Sequence, residues 1–586
     1  MTEAPILRKL SISRFRGLKD FCWQPANGMN VIIGGGDTGK TTILEAIGLL
    51  LSPSNSTIVS ESDYWQRDAS EEFCIDGVFS LPESSEMSTQ PKFAWPWNWD
   101  GQNAVLPTDV GGDADAPPDN PVYWFRLRGT TELELLWELV QPNGDADSLT
   151  TGIRRAVGLV RLSGDDRNDR DLRLVYGSAL DRLFSDVSLR ARIGKEVSKI
   201  DLNAPLGDDG RESIDDLSAR FEKASLPHGL SLGLTTTHGL SIGALIGLHA
   251  EKDDTDLPLS SWGAGTRRMA ALETASVNRT NTSIAAIDEI ERGLEPYRLR
   301  KLIGSVIGSF CQSFVTTHSA VAIACTEKAD LWYLDSCGQI GPLPRHKIEQ
   351  QQRRDPETFL SRVAVIAEGA TEVGFLRYLL ECAFSGEPLD RGVRVCDGQG
   401  NDATLGLLEA LSSSGLLFCG LADNEGRNPE RWKALKDQLG DALLQWPTGC
   451  TEEQVIANIP DDQLGKLVTD TDGAEDGLRL RTLADRLGSQ DKSLDKIRQA
   501  LDATGTSLRT LIIAAATGDK DGAPEGSEKE WKAHARCWFK SEAGGRELAK
   551  RMLSGGAWPN LRPSLMPLIN AVLRASEMQE RDDLQP

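Results

Sequence analysis

The chain has 586 residues, 39% of them hydrophobic and 26% charged, a globular composition on a length too great for one core, so two or three domains are expected. No apolar run is long enough to cross a bilayer and the polar start MTEAPILRKL has no signal-peptide core, so no membrane partner and a cytoplasmic location are expected. The net charge of −23 excludes a surface that is basic throughout, yet local strips such as Arg345, His346, Lys347, Arg353 and Arg354 leave room for contacts to DNA phosphates.

The first element is ILRKLSISRFRGLKDF, which alternates apolar and polar residues as an edge strand and hairpin do. Next, VIIGGGDTGKTTILEAIGLLL, from Val31 to Leu51, reads as strand, loop and helix. Gly34, four residues, then Gly39, Lys40 and Thr41 is the phosphate-loop spacing. Backbone N–H groups from Gly34 through Gly36, Asp37, Gly39 and Thr42 would surround the phosphates of ATP, Lys40 would reach the outer ones, and Thr41 would ligate Mg²⁺. A chance glycine-rich turn is the alternative, and the strand before and helix after argue against it.

From Ser84 to Pro121, Pro, Gly, Asp and Trp predict a long irregular excursion around FAWPWNWDG. Leu180, Leu183, Phe184 and Val187, then Ile214, Leu217 and Phe221, recur at helical spacing and predict an inserted helical subdomain at about 175–230. Its apolar stripe suits internal packing and a dimer seam equally. In LSSWGAGTRRMAALETAS, Ser260, Ser261, Gly263 and Gly265 open a helix. SIAAIDEIERGLEP is a strand ending in Asp288 and Glu289, placed as an Mg²⁺ partner and a base for water. QSFVTTHSAVAI is a short strand ending in Thr317, His318 and Ser319.

In this order, phosphate loop, signature helix, acidic strand and histidine strand resemble ABC- and SMC-type ATPase heads. The resemblance implies that Gln66, in SESDYWQRD, contacts Mg²⁺ or the attacking water and that His318 contacts the γ-phosphate. It also implies that Ser261, Gly263 and Gly265 bind ATP held by a second subunit, hence a homodimer or higher homo-oligomer.

Residues 346–362 are polar and are expected as a linker between an ATPase domain, 1–345, and a second domain, 363–586. VAVIAEGATEVGFLRYLL, GVRVCDGQGNDATLGLLEAL and LLFCGLADNEGRNPERW each read as strand, turn and helix, which predicts a parallel α/β sheet. Such sheets place sites at the carboxyl ends of their strands, where Glu368, Asp423 and Glu425 fall, with Glu372 one helical turn after Glu368. The six histidines are dispersed and the ten cysteines include no C-x-x-C pair, so an all-oxygen donor set for one or two Mg²⁺ or Mn²⁺ ions is expected. Helix N-terminal acids that merely satisfy the helix dipole are the alternative.

Glu-Gly-x-x-Glu followed by Asp-x-Glu resembles the Toprim fold, with Glu425 in place of the usual second aspartate. An ABC-type head followed by Toprim resembles the overcoming-lysogenization-defect (OLD) family of nucleases, closest to the class that includes the nuclease of the Gabija antiphage system. By that resemblance the fold class is α/β, an ABC/SMC-type head with an inserted helical dimerisation subdomain and a C-terminal Toprim domain with helical additions. It also implies that Glu453 joins the metal site, that Lys540 lies at the scissile phosphate, and that a UvrD-like helicase is a candidate partner. The expected activity is ATP-regulated, metal-dependent cleavage of DNA in defence against phage, the rival being a non-catalytic SMC-like DNA-repair clamp.

Overall fold

The computed structural model describes residues 4–55, 57–82, 87, 90, 92–107, 118–162, 170–175, 178–184, scattered positions between 189 and 215, 246–252, 255–276, 283–469 and 476–584. The chain divides into two compact units, Met1–Met29 with Thr41–Thr317, and Asn30–Lys40 with His318–Pro586. The strand Asp330–Leu334 pairs in parallel with the phosphate-loop strand, Asn30 opposite Asp330 and Gly34 opposite Leu334, and both segments belong to the second unit.

In the first unit an antiparallel sheet is built from Ile6–Phe15, Leu18–Trp23, Phe73–Ser80, Pro121–Gly129 and Leu135–Val140. Ile12 faces Ile75, Ile75 faces Leu127, and Leu127 faces Trp137, so one ladder of apolar pairs runs across it. A register shift between Leu7 and Lys9 lets Leu7 and Leu10, three residues apart, both be buried. The expected irregular excursion holds short strands, Trp97–Trp99 and Ala104–Val105, the first paired with Pro121–Gly129. Three further strands, Val160–Leu162, Ile284–Ile287 and Gln312–Thr316, are parallel and buried along their length except for Arg161, as strands covered on both faces require. Of the expected inserted helices, Ala179–Phe184 is described, with Leu180 buried, while Val187, Ile214, Leu217 and Phe221 lie outside the described residues.

In the second unit, Val393–Asp397, Val363–Ala367, Leu417–Ala422 and Leu443–Gln445 form a parallel sheet in that order. Helix Ala370–Phe384 packs closely on helix Glu542–Ser554: a Cβ at Gly374 would stand 1.8 Å from Glu542 O, and one at Gly545 1.9 Å from Thr371 O. Within the core, Arg479 is 2% exposed and donates to both Glu547 carboxylate oxygens at 2.9 and 2.7 Å and to Leu467 O at 2.7 Å. The stretch expected as a linker is folded instead. Helix Arg345–Arg354 and the 3-10 turn Pro356–Leu360 bury Ile348, Gln351, Gln352 and Phe359. The glutamines tolerate burial because Gln351 Nε2 donates to Thr358 Oγ1 and Gln352 Nε2 to Ile323 O, both at 2.7 Å. No helix among the described residues is long and apolar enough to cross a membrane.

Candidate functional site

Two strand ends and two helix starts of the second unit converge on one group of carboxylates. Val363–Ala367 delivers Glu368, Leu417–Ala422 delivers Asp423, helix Ala370–Phe384 carries Glu372 in its first turn, and helix Thr451–Asn458 carries Glu452. They are 6, 9, 3 and 0% exposed, respectively. The sheet brings two of them together, since Ala367 lies opposite Leu421, one residue before Glu368 and two before Asp423.

Hydrogen bonds hold two of these groups from behind. Glu368 Oε2 accepts from the Asp423 N–H at 2.9 Å and from Asn401 Nδ2 at 3.0 Å. Asn401 Oδ1 accepts from Trp432 Nε1 at 3.0 Å, which fixes the orientation of that amide. Asp423 Oδ1 accepts from Thr451 N at 3.0 Å and Thr451 Oγ1 at 3.2 Å. Glu452 Oε1 meets Lys540 Nζ at 2.8 Å and Thr371 Oγ1 at 3.0 Å. Thr371 Oγ1 also lies 2.8 Å from Phe539 O and, with one proton, serves one acceptor at a time.

The electrostatics are unbalanced. Glu368, Glu372, Asp423 and Glu452 face one ammonium, that of Lys540, and Glu372 Oε1 and Glu452 Oε2 are buried with no hydrogen-bond partner. Burial, then Asp423 and Glu452, hold the Glu372 carboxyl well above the usual range. Burial, then Glu368 and Glu452, push Asp423 up to about 7. Burial raises Glu368 as well, opposed by its two hydrogen bonds. Burial works against the Lys540 ammonium, but Glu452 beside it holds its pKa above the ordinary value. Uncompensated buried carboxylates with open lone pairs fit a divalent cation, which supplies the missing positive charge and ligands together.

Glu453, expected at the metal, is partly exposed and sits against Gly449, where a Cβ would meet its Oε2 at 1.9 Å, and Glu452 beside it is the buried one. Neighbouring helical residues point about 100° apart, and Val455 and Ile456 share the buried face with Glu452. That i, i+3, i+4 pattern is the signal that marks Glu452 in the sequence. A thiol also stands here: ligand atoms of Asp423, Cys450 and Glu452 all lie within 4.8 Å of one another. Glu425 stands at the rim, its side chain 45% exposed and 3.4 Å from Arg427 Nε. Asp485, Glu530 and His534 also approach one another, but Arg486 Nε donates to His534 Nδ1 at 3.2 Å. The ring proton is thereby placed on Nε2, 4.0 Å from Asp485 Oδ2, as a donor and not a ligand.

The residues expected at the nucleotide fall into both units. In the second unit, the loop after the Met29–Gly34 strand has Gly34 at φ 152°, Asp37 at φ 55° and Gly39 at φ 103°. Lys40 Nζ donates to Gly34 O at 3.2 Å and Gly35 O at 2.5 Å. Gly36 and Asp37 are exposed, as is His318. In the first unit, Thr41 Oγ1 donates to the Asp288 carboxylate at 3.2 and 3.1 Å, and Thr316 Oγ1 donates to Asp288 Oδ1 at 2.6 Å. The hydroxyl and carboxylate expected to share Mg²⁺ thus stand side by side, and Thr42, the residue after Thr41, is half-buried. Glu289 takes φ 46°, a left-handed conformation held by its N–H donating to Thr316 Oγ1 at 2.8 Å. Gln66 is exposed at φ 54°. Ser261 and Gly263 are exposed just before helix Ala264–Ser276, whereas Gly265 is taken up in packing, a Cβ there standing 2.3 Å from Gly293 O.

Residues 137–324 are similar to the family model described as "AAA domain, putative AbiEii toxin, Type IV TA system". The DNA replication and repair protein RecF of Teredinibacter turnerae (strain ATCC 39867 / T7901) is 50% identical over 46 residues, which is 8% of this chain and only 12% of the length of that relative. Among solved structures, the Smc head domain with an extended coiled coil, bound to the C-terminal domain of ScpA and derived from Pyrococcus furiosus, is 14% identical at a TM-score of 0.32. That comparison covers 59% of this chain and 98% of that one. The recombination mediator protein RecF in its ATP-bound structure is 14% identical at a TM-score of 0.31, covering 58% and 99%.

Proposed function

We propose that the second unit is a Toprim-type, metal-dependent DNA endonuclease and that the ATPase regulates it, as in the OLD nucleases. The observation that carries this reading is the burial of Glu368, Glu372, Asp423 and Glu452 around one lysine, with open lone pairs on Glu372 and Glu452. In this reading these residues hold one or two Mg²⁺ or Mn²⁺ ions, with Glu425 reaching in from the rim. A bound divalent cation would supply charge neutralisation at the phosphate and would lower the pKa of a bound water. Asp423 is oriented by Thr451, and Glu368 by Asn401, so both carboxylates are fixed before substrate arrives. Lys540 spends one of its three N–H donors on Glu452 and keeps the others for a phosphate oxygen of the cleaved strand.

On the ATPase side, Lys40 holds the phosphates, Thr41 and Asp288 hold Mg²⁺, and Glu289 and His318 serve hydrolysis, with Ser261 and Gly263 presented to the nucleotide of a second copy. DNA, a homo-oligomeric assembly, a UvrD-like helicase and a role in defence against phage belong to the same proposal.

The test is incubation of the purified chain with supercoiled plasmid and Mg²⁺ or Mn²⁺, with and without ATP, beside Glu368→Ala and Lys40→Ala. Nicked or linear plasmid from the wild type and none from Glu368→Ala is the expected result. Equal cutting by both would refute the site, and intact plasmid throughout would favour a clamp without nuclease chemistry. Lys40→Ala separates two modes of control: if ATP loads a clamp the variant loses cutting, and if ATP restrains the nuclease the variant cuts even when ATP is present.

A further inference from the structure

The carboxylate site contains a donor that Mg²⁺ does not use. Cys450 immediately precedes helix Thr451–Asn458, and its Sγ lies within 4.8 Å of a carboxylate oxygen of both Asp423 and Glu452. Around a tetrahedral ion, with M–S about 2.3 Å and M–O about 2.0–2.2 Å, such atoms stand roughly 3.5 Å apart, so closing the group on one ion takes a contraction of at most about 1.3 Å. The second observation is independent: Glu452 is 0% exposed, and its Oε2 is buried with no hydrogen-bond partner.

We propose that Cys450, Asp423 and Glu452 form a mixed thiolate–carboxylate subsite that takes a thiophilic divalent cation, of the Zn²⁺ or Cd²⁺ class, in competition with Mg²⁺ at the carboxylates. The inference rests on reading Asp423 and Glu452 as metal ligands and does not depend on DNA as the substrate. Binding replaces the S–H bond of Cys450 with an S–metal bond and releases one proton to solvent. Soft and borderline ions gain from a thiolate and hard Mg²⁺ gains nothing, so the subsite makes the centre sensitive to the ratio of these ions. A thiophilic ion held by Asp423 removes that carboxylate from the Mg²⁺ or Mn²⁺ set and is expected to inhibit.

The test is titration of the full chain with Cd²⁺ while following thiolate-to-metal charge transfer in the ultraviolet, with a parallel titration of free Mn²⁺ by electron paramagnetic resonance. The wild type is expected to develop the band, Cys450→Ser and Cys450→Ala to lose it, and Cys537→Ser to keep it. Cd²⁺ binding should weaken at least tenfold in the two Cys450 variants, about the lower bound for disturbing a metal site, with unfolding transitions recorded to show that both fold. Wild type and both Cys450 variants giving the same band would overturn the proposal, as would Mn²⁺ binding with no Cd²⁺–thiolate band. Binding of neither ion would overturn the metal reading of the whole site.

Discussion

At the scale of single residues the unusual feature is a set of acids placed where acids are costly. If Glu372 is there for a cation, the metal-free protein carries its charge at a loss. Glu372→Gln is therefore expected to stabilise the metal-free chain by about 1–3 kcal/mol in urea unfolding while weakening Mn²⁺ binding; a destabilised variant with unchanged Mn²⁺ binding would count against the account. The pH dependence has a definite sign. Asp423 is raised to about 7 in the folded chain, by burial and then by Glu368 and Glu452, against about 3.9 when unfolded. Its favourable contribution is complete below about pH 4 and is lost as pH rises through about 7. The melting temperature of Asp423→Asn relative to wild type should accordingly increase from pH 5 to pH 8 without metal, and the trend should vanish with saturating Mn²⁺. Glu368, Glu372 and Asp423 were legible in the sequence because each follows or opens an element whose type is plain. Glu452 was marked only by its spacing to Val455 and Ile456 on a short helix, and Cys450 by nothing local, because its place depends on the strand end that brings Asp423 beside it.

At the scale of elements, the helices behind the site meet backbone to backbone. Gly374 and Gly545 leave no room for a side chain between helix Ala370–Phe384 and helix Glu542–Ser554. Gly374→Ala is expected to cost about 1–3 kcal/mol and, because the helix it separates follows Lys540 in the chain, to lower metal-dependent cutting more than the loss of stability explains. Normal cutting by a folded Gly374→Ala would show that helix spacing does not set the site. Arg479 joins the same core to Glu547, so Arg479→Met should cost about 3–5 kcal/mol, the penalty of an orphaned buried charge, measured by chemical denaturation. The strands of the parallel sheet were readable from unbroken runs such as Val363–Ala367. The helix Arg345–Arg354 was not, because its buried positions include glutamines, whose burial rests on distant hydrogen-bond partners that no local pattern reveals.

At the scale of the whole molecule, the phosphate-loop strand and the carboxylate sheet belong to one compact unit, while Thr41 and Asp288 belong to the other. Lys40→Ala should abolish ATP binding, read by fluorescent nucleotide titration, and leave Mn²⁺ binding at the carboxylates in place; loss of both would mean that the lysine supports the fold and not the nucleotide. The order of motifs along the chain was visible from sequence, but the pairing of the phosphate-loop strand with Asp330–Leu334 was not, since it joins residues about three hundred positions apart. The central claim is that Glu368, Glu372, Asp423 and Glu452 are buried together in order to hold a divalent cation. Mn²⁺ binding to the full chain, followed by electron paramagnetic resonance of the free ion, tests it most directly. The account predicts one or two bound ions per chain in the wild type and binding lost in Asp423→Ala, and equal binding by the two proteins, or none by either, would contradict it.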